Sequence, residues 1–282
     1  MTFEDQYAEK NSIVRELFIA TADDNYITAR WCFHQDLNVD FFWLAVHCLE
    51  KYLKASLLLN AKPATGYGHE IVKLYDSVKL LAPELLPEQL IKPENMPDVY
   101  WRPETVEQYV KRLYHDGQAH NRYQLFGHVR HAEDLWKLDQ LVFNVRRLCQ
   151  PLEVHFLGEP SDGVPDQSIR ERMSKDHNTS WILHSKIEET ISGKRGEVLQ
   201  RAFLQWHFPF SRDGDRQEPT SYTSASQEPV LVRRIYGPLR AGPENYQKAD
   251  ELWTWVKENI ELPKGFVKDI EKERVRIKRN PS

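Results

Sequence analysis

Cysteine is scarce in this 282-residue chain, with only Cys32, Cys48 and Cys149 present. Three widely spaced thiols predict neither a disulfide framework nor a zinc knuckle, and they fit a reducing cytoplasm. Glycine is also sparse, at 12 residues, while apolar side chains make up 40% of the sequence. That combination excludes a collagen-like or disordered chain. No apolar run reaches the roughly 18 residues that a membrane span needs, so no membrane association is expected. The opening Met1-Thr2-Phe3-Glu4-Asp5 is acidic and lacks an apolar stretch, so no secretory signal is expected. The glycine-rich phosphate loop, the GxGxxG and GxSxG patterns and the two-His-plus-Glu zincin pattern are all missing. Neither a cofactor nor a metal ligand set is therefore expected.

Charge of one sign is lacking too, since the formal net charge is only −4. It is unevenly spread. Residues 1–101 carry 9 basic and 15 acidic side chains, residues 102–149 carry 8 and 6, and residues 150–282 carry 21 and 21. A chain that binds polyanions over its whole surface is excluded, but a local basic site in the middle block is not.

Helical spacing of apolar residues dominates the first half. One helix is expected from Ser12, as N-cap, to about His34, and a second from Val39 to Asn60. The second carries two apolar stripes. Phe41, Ala45, Cys48, Tyr52, Ala55 and Leu59 form one, and Phe42, Val46, Leu49, Leu53 and Leu57 the other. A helix apolar around so much of its circumference belongs at the centre of a bundle or against another subunit. A loop with Pro63, Gly66 and Gly68 follows, and then a helix over His69–Leu81. Five prolines between Pro83 and Pro103 forbid a long helix there. Helices are expected again over Glu104–His115, stopped by Gly117, and over Val129–Cys149. The stretch 151–166 is rich in proline and reads as a boundary. It separates a bundle over 12–150 from a mostly helical extension or second domain over 151–282. Within the latter, helices are expected over Ile169–Lys175, Trp181–Ile191, Glu197–His207 and Asn245–Ile260. Residues 209–229 read as a loop, and Val230-Leu231-Val232 as a short strand or extended segment. Lys264–Arg279 holds seven basic and three acidic residues and reads as a solvated helix end.

His115, His120, His128 and His131 crowd a short stretch with Arg112, Arg122, Arg130, Asn121, Tyr114 and Tyr123. Guanidinium forks match phosphate oxygens, and imidazoles carry protons near neutral pH, so such a loop suits work on a phosphodiester. A helix starting near His128 would add amide donors. The same composition also describes an ordinary solvated loop. His128 and His131, at i,i+3, can converge on a metal only if Asp134 joins them.

Two segments carry a resemblance. Asp23-Asp24-Asn25-Tyr26-Ile27-Thr28-Ala29-Arg30 is followed by Phe41–Ala55, which ends in Glu50-Lys51-Tyr52-Leu53-Lys54-Ala55. Together they resemble the two long helices of HEPN domains. Gly68-His69-Glu70-Ile71-Val72-Lys73-Leu74 is similar to the start of that family's third helix, and Asn121-Arg122-Tyr123 to its Arg-Tyr element. The resemblance covers about residues 12–150. It implies an all-α, antiparallel helical bundle that pairs as a homodimer and, in many members, metal-independent RNA cleavage. Such members carry Arg, four to six residues, then His. Here five residues separate Arg122 from His128, but Tyr123 stands where active members tend to have Asn, Asp or His.

The resemblance thus implies a cytoplasmic endoribonuclease, a toxin or phage-defence effector, with an antitoxin-like protein as a further partner. Arg122 and His128 are its catalytic pair, and Asn121, Tyr123, His120 and Arg130 contact the substrate. Two alternatives stay open. One is a catalytically silent bundle that binds a nucleotide, an RNA or a partner protein. The other is a dimerisation platform for a functional C-terminal half.

Overall fold

The Val39–Asn60 pattern has one geometrical consequence: if both stripes are to leave water, helices must pack around that segment on several sides. The computed structural model shows this arrangement. It describes residues 3–92, 96–119, 121, 128–154, 167–175, 186–191, 193–197, 230–260, 262 and 264–279. Among them every regular element is helical and no strand forms, so the fold is all-α. No described helix is long and apolar enough to cross a membrane.

The chain divides into two compact units. One comprises residues 18–61 and 69–210, and the other residues 1–17, 62–68 and 211–282. Segment 12–150 therefore contributes to both.

The larger unit is built on α2 (Ala20–His34) and α3 (Asn38–Leu59). Phe33 packs edge-on against Phe41 at 5.0 Å beside the connecting turn. At the far end Tyr52 reaches Asp23. The two helices therefore run antiparallel along their whole length, as a connection this short dictates. Around α3 lie α2, α4 (Ile71–Leu81), α5 (Val106–Asp116) and α6 (Asp134–Arg146). Every residue of both α3 stripes is buried. The helix thus leaves neither stripe for a second copy of the chain. α7 (Ile169–Lys175) and α8 (Lys186–Ile191) complete the described part of this unit.

The smaller unit gathers α1 (Phe3–Val14), α9 (Val230–Ala241), α10 (Tyr246–Asn259) and α11 (Lys264–Arg279). Trp253 is fully buried at its centre, and its Nε1–H donates to Glu271 at 2.6 Å. Two cations of the basic last helix are paired within its own unit. Arg274 and Lys278 both pair with Asp250, at 2.5 and 2.6 Å.

Two expectations are corrected. Ser12 does not cap a helix. It lies inside α1, where its hydroxyl donates to Glu16 at 3.2 Å. A π-helical segment, Arg15–Ile19, then joins α1 to α2. Val230–Val232 is not extended but opens α9, because Leu231, Ile235 and Leu239 at i, i+4 and i+8 bury one helical face. The arginines there are engaged. Arg234 reaches Glu16, Glu9 and Ser12, and Arg233 pairs with Glu16. As expected, α5 stops at Gly117, which follows it with φ −96°, outside the left-handed region. Its glycine requirement is steric, since a Cβ there would lie 2.5 Å from the Phe42 carbonyl oxygen and collide with Val46.

Leu53 is buried in the middle of α3. Leu53→Ala is expected to lower unfolding free energy by about 2–5 kcal/mol. Urea denaturation checks this, and a loss under about 1 kcal/mol would show that α3 is not packed on all sides.

Candidate functional site

Several polar residues of α3 find a partner on a neighbouring element. Tyr52 donates to Asp23 at 2.6 Å. Asp23 is fully buried and also accepts from Arg146 on α6 at 3.0 and 3.2 Å. Lys51 donates to Asn25 at 2.7 Å. On the same pair of helices as Asp23 and Arg146, Tyr26 donates to Asp139 at 2.7 Å, and Arg30 pairs with the same carboxylate. A buried charge without a partner is costly, so these residues are engaged in holding α2, α3 and α6 together.

A second ionic network joins α5, α6 and the segment before α5. Arg112 grips Glu104 with two hydrogen bonds of 2.9 Å and reaches Asp134 at 2.6 Å. Lys137 is fully buried and donates to Glu104 at 2.5 Å and to the Arg102 carbonyl at 2.8 Å. Burial pushes the Glu104 carboxyl up, but Arg112 and Lys137 outweigh it and hold it at about 2. The guanidinium of Arg112 is raised in turn, because its carboxylate partners outweigh its own burial. Arg112 is therefore committed to the fold and not to a phosphate.

The expected site residues divide into three groups. His120, Arg122 and Tyr123 lie outside the described residues. Asn121 and Arg130 have structural partners. Asn121 is buried and donates to the Asp116 carbonyl at the end of α5, at 2.9 Å. Arg130 donates to the Phe33 carbonyl at 2.8 Å, pairs with Asp36 at 2.7 Å and stacks over the Phe33 ring at 4.7 Å. It closes the turn between α2 and α3.

His128 differs from these. Its ring is half-buried and lies 5.6 Å from that of Phe42 on α3. Its Nδ1 is buried and has no hydrogen-bond partner. The helix expected to start near it begins instead at Asp134, whose carboxylate accepts the His131 N–H at 2.7 Å. That bond fixes the helix start by local capture of a backbone donor, so amide donors from α6 are not placed at His128. The His131 imidazole is pushed down by burial and by the nearby Arg102 cation.

One cluster was not anticipated from the sequence. His47 and Glu50, one turn apart on α3, meet His69, which stands two residues before α4. His69 Nδ1 is 2.9 Å from Glu50 Oε2, and His47 Nδ1 is 3.5 Å from the same oxygen. Lys54 donates to the other oxygen at 2.7 Å. Burial pushes the Glu50 carboxyl up, but the bonds from His47, Lys54 and His69 bring it down to about 2. These three are the described residues whose donor atoms could hold a metal ion. The available signal was His-x-x-Glu on one helix face. The third member is supplied by the tertiary path of the loop.

A cleft of about 190 Å³ beside α4 and the start of α5 is lined by Tyr75, Lys79, Glu88 and Glu107 among others. It contains none of the residues above. No protein-family model, no curated protein and no solved structure matches the chain.

The folded Glu104 carboxyl titrates at about 2, below its ordinary 4.5. Its ionic bonds therefore stabilise fully above about pH 4.5 and lose that contribution as pH falls toward about 2. Glu104→Gln should cost on the order of 3 kcal/mol at pH 7, since it leaves buried Lys137 short of a counter-charge. The gap between the urea midpoints of parent and variant should narrow steadily from pH 4.5 downward. A gap that stays constant across that range would show that Glu104 is not ionically held.

Proposed function

We propose that the chain is a metal-independent endoribonuclease of the HEPN type, in which His128 transfers a proton. The placement of His128 carries this reading. Asn121, Arg130 and Arg112 are tied to groups within the fold, whereas His128 presents a half-buried ring whose Nδ1 has no internal partner. A general acid or base needs a ring held in place by packing and not consumed by other bonds, and with Nδ1 buried the nitrogen that meets the substrate in this reading is Nε2. The antiparallel pair α2 and α3, with its Glu50–Ala55 run, and α6 following His128 support the resemblance in their order.

In this reading the ribose 2′-oxygen attacks its own phosphorus. Its proton passes to one imidazole. The bond from phosphorus to the 5′-oxygen breaks, and a second imidazole protonates the leaving oxygen. Arg122 neutralises the charge that builds on the non-bridging oxygens. The nucleophile is already part of the substrate, so no ion is required to generate it. Two copies of His128 come from a two-fold dimer, whose contact lies elsewhere than on the stripes of α3.

Incubation with RNA in the presence of EDTA should give fragments ending in 2′,3′-cyclic phosphate. His128→Ala should reduce the rate by about two to four orders of magnitude. Arg122→Ala should be similarly damaging, and Arg122→Lys only partly restoring, because lysine lacks the planar fork. Unchanged cleavage by His128→Ala, or products with 3′-hydroxyl ends, would contradict the mechanism. Binding of RNA without cleavage, lost in Arg122→Ala, would replace it with the silent-bundle reading.

A further inference from the structure

We propose that His47, Glu50 and His69 form a binding site for one divalent transition-metal ion, zinc foremost, which clips α3 to the segment entering α4. The three donor atoms lie within 4.8 Å of one another and come from two elements. A zinc ion with ligands at about 2.0–2.1 Å sets neighbouring tetrahedral ligands roughly 3.3–3.4 Å apart. Two of the three edges, at 2.9 and 3.5 Å, already bracket that value. An ion placed between them requires small displacements of side chains, not a rearranged backbone.

One carboxylate oxygen of Glu50 faces two imidazole nitrogens. Lys54 occupies Oε1 and orients the carboxylate, so that Oε2 is directed at both imidazoles. A supporting bond of this kind fixes a ligand before the ion arrives. The His47 ring is set by an edge-on contact with Trp43 at 4.0 Å. His69 has 80% of its side chain exposed, which gives the ion a path in and leaves room for water to complete the coordination shell. Neutral imidazoles and one carboxylate suit zinc, cobalt, nickel or iron(II) better than magnesium or calcium, which prefer oxygen throughout. In the ion-free state a carboxylate oxygen can only accept, so His69 bonds it with Nδ1–H as donor. Binding uses the other tautomer, with the proton on Nε2 and the Nδ1 lone pair on the metal. The site is separate from His128, so it stands or falls independently of RNA cleavage.

The full-length protein, stripped with chelator and dialysed, is titrated with Zn²⁺ by calorimetry and with Co²⁺ by visible absorption. One equivalent should bind at micromolar free ion, with cobalt d–d bands showing nitrogen and oxygen ligation. His69→Ala is the first variant, since the exposure of His69 makes it safe for folding, and circular dichroism verifies this. It should weaken Zn²⁺ by more than the about 10- to 100-fold typical of losing a merely supporting group, and abolish the cobalt bands. His47→Gln should do the same. Thermal stability of the parent should rise with Zn²⁺, and that of His69→Ala should not. No stoichiometric binding to the parent, or binding by His69→Ala as tight as the parent's, would overturn the proposal.

Discussion

The Asp23 carboxylate is fully buried on α2 and accepts from Tyr52 on α3 and from Arg146 on α6. The Ile187 N–H at the start of α8 also donates to its Oδ2, at 3.4 Å. A carboxylate with no water must be surrounded by donors, and here the donors belong to three different helices. This fixes the rotation of each helix about its axis more sharply than apolar packing does, because a hydrogen bond fails within a few tenths of an ångström and a methyl contact does not. Once the rotation of α3 is set, its two stripes face α2, α4, α5 and α6. Lys51 then meets Asn25, and Glu50 is turned toward the loop that carries His69.

The Glu50–Ala55 run shows how densely a short sequence can serve one fold. Leu53 and Ala55 are core, while Glu50, Lys51, Tyr52 and Lys54 each make a polar bond at a specific neighbour. The same economy removes several residues from the list of available catalysts. Arg112, Arg130, Arg146 and Asn121 are all engaged within the larger unit. Among the described residues, the imidazole of His128 and the carboxylate oxygen that two imidazoles share stand apart from this network.

Legibility in the sequence followed the range of the interaction. The position of α3, its burial on all sides and the irregular proline-rich stretch after α4 were readable, because periodicity and proline act within a few residues. The start of α5 was readable to within a turn. The Thr105-x-x-Gln108 capping box, which sets it, was a signal present in the sequence. The start of α6 was misplaced because Val129 and Ala132 continue its apolar spacing, whereas Asp134 captures the His131 amide and Val129 is left 62% exposed. Val230 and Val232 suggested extended backbone by their branching, but the four-residue spacing of Leu231, Ile235 and Leu239 prevails once that face can be buried. The meeting of His69 with Glu50 was not readable. It depends on a loop whose path turns through Gly66 and Gly68, both at positive φ. The isolated spacing of two residues on one helix says nothing of a third.

The claim that a shared buried carboxylate sets the packing of α2, α3 and α6 is tested most directly by a double-mutant cycle. Tyr52→Phe and Arg146→Met are made singly and together, and unfolding free energies are read from urea denaturation at neutral pH. The two side chains act on one acceptor, so their effects should be non-additive by about 0.5–3 kcal/mol. Additivity within about 0.3–0.5 kcal/mol would show that they hold the bundle independently, and that Asp23 is not the point on which its packing turns.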